Sequence, residues 1–241
     1  MPRFFIPHSI ADSYTIAGPD AIHILRSLRM RTGEALTLCD PDGMDYACEI
    51  VDHTCPDVSV KVLSKAPCPN EPTVKISLFQ GLPKGDKPEN IVKAAVQLGV
   101  SDIYFCVTAR TVSRPDPKAA VKKQERLQTV AREAAMQSER GRIPTVHPIT
   151  SFKEALPVFL AADLSLAFYE KGGESLSGLL SKDFTSVNIF IGPEGGFEEE
   201  EIDKMVQSGA VSATLGPRIL RTETAPAVAI SSILFATGNM D

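Results

Sequence analysis

The residues best suited to chemistry lie in a glycine-rich stretch late in the chain, "IGPEGGFEEEEI" at 191–202. A branched apolar run leads into it and predicts a buried strand, and the glutamates at 198–201 predict a helix start. Free N–H groups at such a start suit an anion, but these glutamates would repel a phosphate. The sequence also lacks the G-x-G-x-x-G and G-x-x-x-x-G-K-[ST] nucleotide fingerprints. We therefore expect a ligand held by backbone groups, such as an adenosine moiety.

A second stretch, "LGPRILRTETA" at 215–225, brings charged residues to the end of another predicted strand. A glycine and a proline make a turn there, and a threonine hydroxyl is available to cap the helix that follows. Capping explains the threonines, but it does not explain why Arg218, Arg221 and Glu223 cluster at one strand end.

A third stretch, "REAAMQSERGRIP" at 132–144, ends a long predicted helix with Arg132, Arg140 and Arg142. Cations at a helix C-terminus are favourable through the helix dipole alone. An arginine group facing a polyanion or a base is the functional alternative, and the two interpretations stay open here.

These stretches belong to a regular alternation of strands and helices that begins at residue 73. Such an alternation predicts an α/β domain with a parallel sheet, in which ligands bind beyond the carboxyl ends of the strands. The predicted strands are 73–80, 102–108, 162–170, 186–192 and 211–216, and the predicted helices are 86–100, 117–139, 198–209 and 223–238.

The first 70 residues have a different pattern, which predicts a small and mostly β unit. "EALTLCD", "DYACEIV" and "VSVKVL" are short strand candidates, and "DPDG" at 40–43 is a hairpin signal between the first two. "SKAPCPNEP" at 64–72 reads as a linker because it holds three prolines and few apolar residues. A helix over 20–34, ended by Gly33, would place three apolar residues on one face: Ile22, Leu25 and Leu28.

Charge is unevenly distributed along this chain of 241 residues, whose formal net charge is −5. Residues 1–72 carry −4, residues 84–142 carry +5 and residues 143–241 carry −7. A basic middle third inside an acidic chain would suit a nucleic acid, although solvated helix faces would explain it as well.

Composition argues against several other classes of protein. The sequence has no run of the roughly 20 apolar residues that a membrane span needs, and no secretory signal at its start. Five cysteines form no C-x-x-C pair, and the four histidines form no H-E-x-x-H motif. We therefore expect a cytoplasmic protein with reduced thiols, no metal site and no membrane association.

The three stretches, with "KGDKPENIVKAAVQLGV" and the initial "MPRFF", closely resemble the bacterial 16S rRNA (uracil-N3)-methyltransferases. These form a branch of the SPOUT class of S-adenosylmethionine-dependent RNA methyltransferases. The resemblance covers essentially the whole chain, and "GPEGG" followed by "LGPRILRTETA" is highly specific. One departure is Gln97, which stands where the family usually has Glu before Leu-Gly-Val.

The resemblance implies an α/β knotted (SPOUT, trefoil knot) parallel-sheet catalytic domain at 73–241, preceded by a small PUA-like β-barrel at 1–70 that helps to hold RNA. It also implies a homodimer, and the apolar helix 223–238 is consistent with one because a helix that is hydrophobic all round must be buried. The implied substrate is 16S rRNA within the assembled small ribosomal subunit.

By the same resemblance, the glycine loop and the later turn hold the cofactor, S-adenosylmethionine. The implied cofactor-binding residues are Tyr169, Ile191, Gly192, Pro193, Glu194, Gly195, Gly196, Leu215, Gly216, Ile219, Leu220, Thr222 and Thr224.

Methylation at N3 of uracil requires the N3 proton to leave, and negative charge then spreads onto O2 and O4. Arg140 and Arg221 are our candidates to stabilise that charge. Glu223 is the first candidate for the base, and Glu194 is the second.

RNA would follow the basic middle third and the barrel, and the target base would leave its stack to reach the site. The predicted RNA-binding phosphate contacts are Arg3, Arg26, Arg29, Arg31, Arg110 and Arg114.

Two other classes of function remain open from the residues alone. A small-molecule α/β enzyme with a nucleotide cofactor would bind NAD or a phosphosugar, although the fingerprints are missing. A non-catalytic RNA-binding module would bind RNA without any cofactor, and would leave "GPEGG" without a purpose. Related SPOUT enzymes also modify ribose 2′-oxygens or guanine N1, so the target atom depends on the family match.

Overall fold

The computed structural model describes residues 1–53, 56–181 and 183–240. Cys55, one of the five cysteines considered above, lies outside the described residues. Within these ranges no helix is long and apolar enough to cross a membrane.

The chain divides into two compact units. The first consists of residues 1–71 together with 135–142, and the second contains residues 72–134 and those from 143 onward. The predicted first domain did not include 135–142, because this segment ends a helix that belongs mostly to the second unit. Met136 from this segment packs against the apolar core of the first unit.

A five-stranded sheet in the order β1-β3-β4-β5-β2 forms the first unit. β1 runs parallel to β3, and the other neighbouring pairs are antiparallel. Short β1 and β2 were not predicted. The strands are β1 Arg3–Phe5, β2 Ser13–Ile16, β3 Ala35–Cys39, β4 Met44–Asp52 and β5 Val58–Pro67.

The predicted helix over 20–34 is wrong in both its extent and its buried face. An α-helix, α1 (Gly18–Ile22), continues as a π-helical segment over His23–Leu28, and Arg29 ends it with φ of 54°. The wider turn of a π-helix changes the spacing of side chains that share a face. Ile24 is therefore buried, whereas two of the predicted face residues are exposed: Ile22 and Leu28.

The predicted hairpin turn at 40–43 is confirmed. The carboxylate of Asp40 accepts hydrogen bonds from the backbone N–H groups of Asp42 and Met44, both at 3.0 Å. It also accepts one from the hydroxyl of Tyr46 at 2.8 Å. Gly43 completes the turn with φ of 79°, which glycine adopts without strain.

The predicted linker at 64–72 is partly wrong, because β5 continues through Pro67 and pairs that residue with Met44. β2 pairs with β5 only over Val58–Lys61. The later part of β5 therefore lacks that second partner, and a proline without an N–H is tolerated at such a strand end.

The second unit contains an eight-stranded sheet whose pairs are all parallel, which confirms the predicted α/β class. Its order is β11-β13-β10-β12-β6-β7-β8, and β9 also pairs with β7. The strands are β6 Lys75–Gly81, β7 Asp102–Val107, β8 Thr145–Val146, β9 Thr150–Ser151, β10 Leu164–Phe168, β11 Glu174–Ser175, β12 Ser186–Ile191 and β13 Val211–Thr214. The helices are α2 Lys87–Gln97, α3 Pro117–Gln137, α4 Phe152–Phe159, α5 Leu176–Leu179, α6 Glu199–Gln207 and α7 Ala225–Ala236.

Helix α4 was not predicted, although its start signal is present in the sequence. The hydroxyl of Ser151 accepts from the backbone N–H of Glu154, and the Glu154 carboxylate accepts from the backbone N–H of Ser151. This is the reciprocal capping box that an S-x-x-E pattern specifies. The helix was missed because Pro157 lies inside it, and a proline within a helical pattern indicates the end of a helix.

An aromatic cluster beneath the sheet fixes the start of the glycine loop. The ring of Phe190 in β12 contacts that of Phe197 edge to face, with centroids 5.1 Å apart. Phe79 and Phe159 pack against Phe190 on its other sides. Because Phe190 and Phe197 are fully buried on either side of residues 191–196, both ends of this loop are held in place.

Candidate functional site

A cavity of about 800 Å³ lies in the second unit where β10, β12 and β13 end. Parallel strands bring their carboxyl ends to one edge of the sheet, and ligands in this fold class bind there. Its walls are residues 168–172, 191–196 and 214–222, with Lys87 and Ala225. The glycine loop and the "LGPRILRT" segment therefore share one cavity.

Glycines in the loop are required first by the packing of the protein against itself. A Cβ on Gly192 would lie 3.0 Å from the carbonyl carbon of Gly196. Gly81, at the end of β6, faces the loop, and a Cβ on it would lie 2.4 Å from Cδ of Pro193. Gly196 has φ of 69°, and a Cβ there would meet the Glu170 carboxylate at 2.7 Å. Gly216 differs, because a Cβ on it would meet no atom within 4 Å.

A buried glutamine connects the segments around the cavity. Nε2 of Gln80, at the end of β6, donates to the carbonyl of Gly192 at 3.1 Å and to Oγ1 of Thr222 at 2.9 Å. The hydroxyl of Thr222 in turn donates to the same Gly192 carbonyl at 2.8 Å. The sequence prediction missed Gln80, because nothing local shows that a strand-end glutamine will join two distant loops.

The glutamates after the loop act mainly as anchors. Glu198 and Glu201 form a capping box at the start of α6, and the Glu201 carboxylate also accepts from the backbone N–H of Ala109. Arg110 donates to Glu198 at 2.8 Å and to the carbonyl of Gly195 at 2.9 Å. This hydrogen bond to Arg110 lowers the pKa of the Glu198 carboxyl.

Lys87 forms the charged wall of the cavity, and the sequence prediction missed it. Its Nζ lies 3.1 Å from Oε1 of Glu194 and 3.4 Å from Oε2 of Glu223. The hydrogen bond to Glu194 raises the pKa of Lys87, which keeps the side chain protonated. The "KGDK" stretch was available as a signal, because it places a lysine at the N-terminus of a helix that follows a parallel strand.

Almost all of the predicted cofactor residues line this one cavity. The exception is Thr224, which directly precedes α7. The predicted residues brought together here are Tyr169, Ile191, Gly192, Pro193, Glu194, Gly195, Gly196, Leu215, Gly216, Ile219, Leu220 and Thr222.

The predicted catalytic residues do not all meet at the cavity. Arg221 lines it with an exposed side chain, and Glu223 reaches its wall through Lys87. Arg140 instead belongs to the first unit, where its guanidinium lies 2.6 Å from Oε2 of Glu71 and only 3% of its side chain is exposed. The Glu71 carboxylate also accepts from the backbone N–H of Gly141, so this pair holds the segment after α3.

The predicted RNA contacts of the first unit occupy two different environments. Arg3 is buried and makes a two-pronged ion pair with Asp45, with both N–O distances 2.6 Å. A phosphate would have to displace Asp45 to reach it. Arg26 lies within the π-helical segment, and Arg29 and Arg31 lie between that segment and β3. All three side chains are exposed.

The predicted RNA contacts of the second unit are both engaged by the protein. Arg110 pairs with Glu198 as described, and Arg114 donates to the carbonyl oxygens of Thr108 and Ala109. Arg114 nevertheless remains exposed, so its outer face is open to a phosphate.

The thiols and the potential metal-ligating side chains can be located within the described ranges. The four cysteines there are free thiols, and no group of three or more His, Cys, Asp or Glu side chains is placed to hold a metal ion. Burial raises the pKa of Cys48 to about 11 and that of Cys39 to about 12, so neither is a reactive thiolate at neutral pH.

Comparison with known proteins gives a consistent family. The model of the RNA methyltransferase domain matches residues 69–234, which is more than half of the chain. The chain is 36% identical to the ribosomal RNA small subunit methyltransferase E of Bacillus subtilis, over 98% of this chain and 97% of that protein.

Solved structures agree with the sequence relatives. A ribosomal RNA small subunit methyltransferase E from Neisseria gonorrhoeae, bound to S-adenosyl methionine, superposes with a TM-score of 0.89 at 30% identity, covering 98% of this chain and 97% of that one. A methyltransferase from Legionella pneumophila in complex with the same cofactor gives a TM-score of 0.88 at 27% identity, over 97% of each chain.

Proposed function

The chain belongs to the RNA methyltransferase family, and on this premise we propose that it methylates N3 of one uridine in the 16S rRNA of the small ribosomal subunit. The cofactor in this proposal is S-adenosylmethionine. The observation that carries it is the cavity formed jointly by the glycine loop and the 214–222 segment. The relatives that match across nearly the whole chain are named for small-subunit rRNA, which supports this substrate.

The cavity suits such a cofactor in size and in chemistry. Its volume of about 800 Å³ falls in the range of typical ligand pockets. Gly216 leaves open space on its wall, and loop backbone supplies much of the rest. Both signs of charge are present there, from Lys87, Glu170 and Glu194, which matches a molecule that carries a cationic and an anionic end.

Within this proposal the loop residues 191–196 and the segment 215–222 hold the adenosine part through backbone groups. Gln80 keeps the two loops at a fixed separation by bonding to both Gly192 and Thr222. The bound cofactor supplies an activated methyl group, so the protein has to orient the acceptor and remove its proton.

The groups that act on the base come from the wall beside Lys87. The Glu223 carboxylate accepts the N3 proton, with Glu194 as the second choice. The exposed guanidinium of Arg221 donates to the uracil oxygens that gain negative charge. Arg140 is the weaker choice for this role, because a base oxygen would have to displace Glu71 from a buried pair.

We further propose that the second unit is knotted, with the loops 192–196 and 215–222 as parts of a deep trefoil knot. The support is the family match, and the hydrogen bond from Thr222 to Gly192 holds the segment before α7 against the loop after β12. The first unit would be the PUA-like RNA-binding domain, and its exposed arginines Arg26, Arg29 and Arg31 would contact phosphates. Arg110 and Arg114 would add contacts from the second unit.

A homodimer through α7 completes the proposal. This helix is apolar apart from Ser231 and Ser232, and Phe235 is 74% exposed and Val228 is also exposed. Exposed apolar surface on a helix is available for a contact with a second copy of the chain. The substrate would be the assembled small subunit in the cytoplasm.

Two measurements on the wild-type protein test the proposal. Calorimetric titration with S-adenosylmethionine should show binding, and titration with NAD should show none. Small subunits and naked 16S rRNA that lack the modification should then be incubated with protein and cofactor, digested to nucleosides and analysed by mass spectrometry. We expect 3-methyluridine, formed faster on subunits. A 2′-O-methylated nucleoside or 1-methylguanosine would contradict the proposed target atom, and cofactor binding without any methylated nucleoside would contradict the activity.

A further inference from the structure

A single lysine holds two carboxylates at the cavity, and neither the sequence nor the family match assigns it a role. Lys87 is the first residue of α2, and its Nζ bridges Glu194 in the glycine loop and Glu223 in the segment before α7. Its side chain is 25% exposed, as expected for a group on a cavity wall. One ammonium therefore connects three elements of the site.

This arrangement places one balancing cation beside two carboxylates. Two carboxylates that share a site without a cation repel each other, which disfavours ionising both of them. Burial raises the pKa of Glu194, but hydrogen bonds from the backbone and from Lys87 outweigh it and leave that pKa below its usual value. The backbone N–H of Lys84 also donates to Glu194 at 3.2 Å.

Other charged groups around the cavity leave this local balance in place. Glu170 and Lys171 come from the segment after β10, and Arg218 and Arg221 come from the same segment as Glu223. Glu170 lies against Gly196, whereas the ion pairs of Lys87 are with Glu194 and Glu223. Lys87 is therefore the cation that bridges Glu194 and Glu223 in the ion pairs of the described residues.

We propose that Lys87 is a positioning residue for methyl transfer, which holds Glu194 and Glu223 on one ammonium and aims the Glu223 carboxylate at the acceptor base. This inference rests on the proposed function. In the step it serves, the N3–H bond of uridine breaks, the proton passes to Glu223, and the N3 electron pair is left to form the bond to the methyl group. S-adenosylmethionine would supply that methyl group, since its methyl–sulfur bond would break with the electron pair left on the neutral thioether sulfur. Lys87 stays protonated throughout, and its charge is then balanced by Glu194.

The test compares variants by the pH dependence of single-turnover methylation at saturating cofactor. Removing the ammonium with Lys87→Gln should shift the acid limb of the pH–rate profile upward, because the carboxylates lose their shared cationic partner. The acid limb should move up by about one pH unit, with about a tenfold lower rate below it. Lys87→Arg keeps a cation at this position, so its acid limb should stay at the wild-type pH. Lys93→Gln, on an exposed position of the same helix, is the matched control and should change nothing.

A double variant separates this role from a merely structural one. In Lys87→Gln with Glu194→Gln, Glu223 loses both its cation and its competing carboxylate, so the acid limb should return toward the wild-type position. The inference is overturned if folded Lys87→Gln has its acid limb at the wild-type pH. It is also overturned if the acid limb of the double variant is shifted as far as that of Lys87→Gln. If Lys87→Gln fails to fold, the Glu194→Gln variant is measured alone. The acid limb of its pH–rate profile should move to lower pH, because Glu223 then has Lys87 to itself, and an acid limb at the wild-type pH overturns the inference.

The wild-type product keeps the two hypotheses distinguishable. If the wild-type protein forms 3-methyluridine while the variants behave against expectation, only the role of Lys87 is overturned. If the wild type methylates a different atom, the proposed function is overturned together with the inference that depends on it.

Discussion

Two clusters of arginine or lysine with carboxylates, one in each unit, use the same residue types in opposite ways. In the first unit, Arg3 and Arg140 are almost fully buried, and each is matched by its own carboxylate. At the cavity of the second unit, Lys87 is partly exposed and shared between two carboxylates, and Arg221 is exposed. A buried ion pair of one cation and one carboxylate stabilises the fold. In an accessible cluster with unequal numbers of cations and carboxylates, a charged group can exchange a protein partner for a ligand. Water access and the ratio of cations to carboxylates, not residue type, therefore distinguish the two clusters.

The largest effect that would sharpen this comparison is loss of Arg140. Arg140→Met would leave the Glu71 carboxylate without its main partner, and removing one member of a buried pair costs about 3 kcal/mol or more of unfolding free energy. Denaturant unfolding measures this, and calorimetry should show unchanged cofactor affinity. Arg142→Met, at an exposed neighbour, should cost under about 0.5 kcal/mol. A stable Arg140→Met protein that has lost methyl transfer would break the comparison.

Arg221 should show the opposite behaviour. Arg221→Met removes an exposed donor at the cavity, so the unfolding free energy should change by less than about 0.5 kcal/mol. Methyl transfer should fall by about a hundredfold, the usual cost of losing one donor to a developing negative charge. Single-turnover rates at saturating cofactor measure this. Arg218→Met on the same segment serves as the control and should lose far less, and equal losses in the two variants would contradict a specific role for Arg221.

Two glycine-to-alanine variants, with smaller expected effects, separate the cost of backbone strain from the effect of cavity shape on cofactor binding. Gly196→Ala and Gly209→Ala both place a Cβ at positive φ, which costs about 1–2 kcal/mol of unfolding free energy. Only the Cβ at Gly196 would meet another group, the Glu170 carboxylate at 2.7 Å, whereas Gly209 has open space. Thermal unfolding should therefore show both variants destabilised, and calorimetry should show weaker cofactor binding for Gly196→Ala alone. Equal cofactor affinity in the two variants would place the ligand elsewhere.

The smallest expected effect is a gain of stability in the first unit. Glu139 ends α3 with φ of 56°, a conformation that glycine adopts more readily. Glu139→Gly should raise the unfolding free energy by about 0.5 kcal/mol, after the loss of its exposed contact with the N-terminal ammonium is counted. Glu133→Gly, inside the same helix, should instead lower it by about 1 kcal/mol. Denaturant midpoints of the two variants measure both changes, and a destabilised Glu139→Gly would contradict this account.

The features that could be predicted from the sequence are those with local signals, and the features that were missed depend on residues distant along the chain. The parallel sheet and the shared cavity of the two glycine-containing segments were predictable, because strand ends, turns and helix starts leave local signals. Gln80 and Lys87 were missed, because their roles depend on partners more than 100 positions away, at Glu194, Thr222 and Glu223. Arg3 and Arg140 were predicted to face RNA or the base, because an arginine in sequence carries no sign of its burial. The π-helical turn was mispredicted because its spacing mimics a short amphipathic helix.

The two-piece construction of the first unit has a consequence for how the protein is made. Met136 packs against its core and Arg140 forms one of its two buried ion pairs, and both residues belong to the segment 135–142. A ribosome adds roughly 5–20 residues per second, so several seconds separate the synthesis of Glu71 from that of Arg140. Through that interval the nascent first unit lacks its last packing partner, and by the time it closes, β6, α2 and β7 have already been synthesised. The N-terminal unit is therefore translated first but completed late.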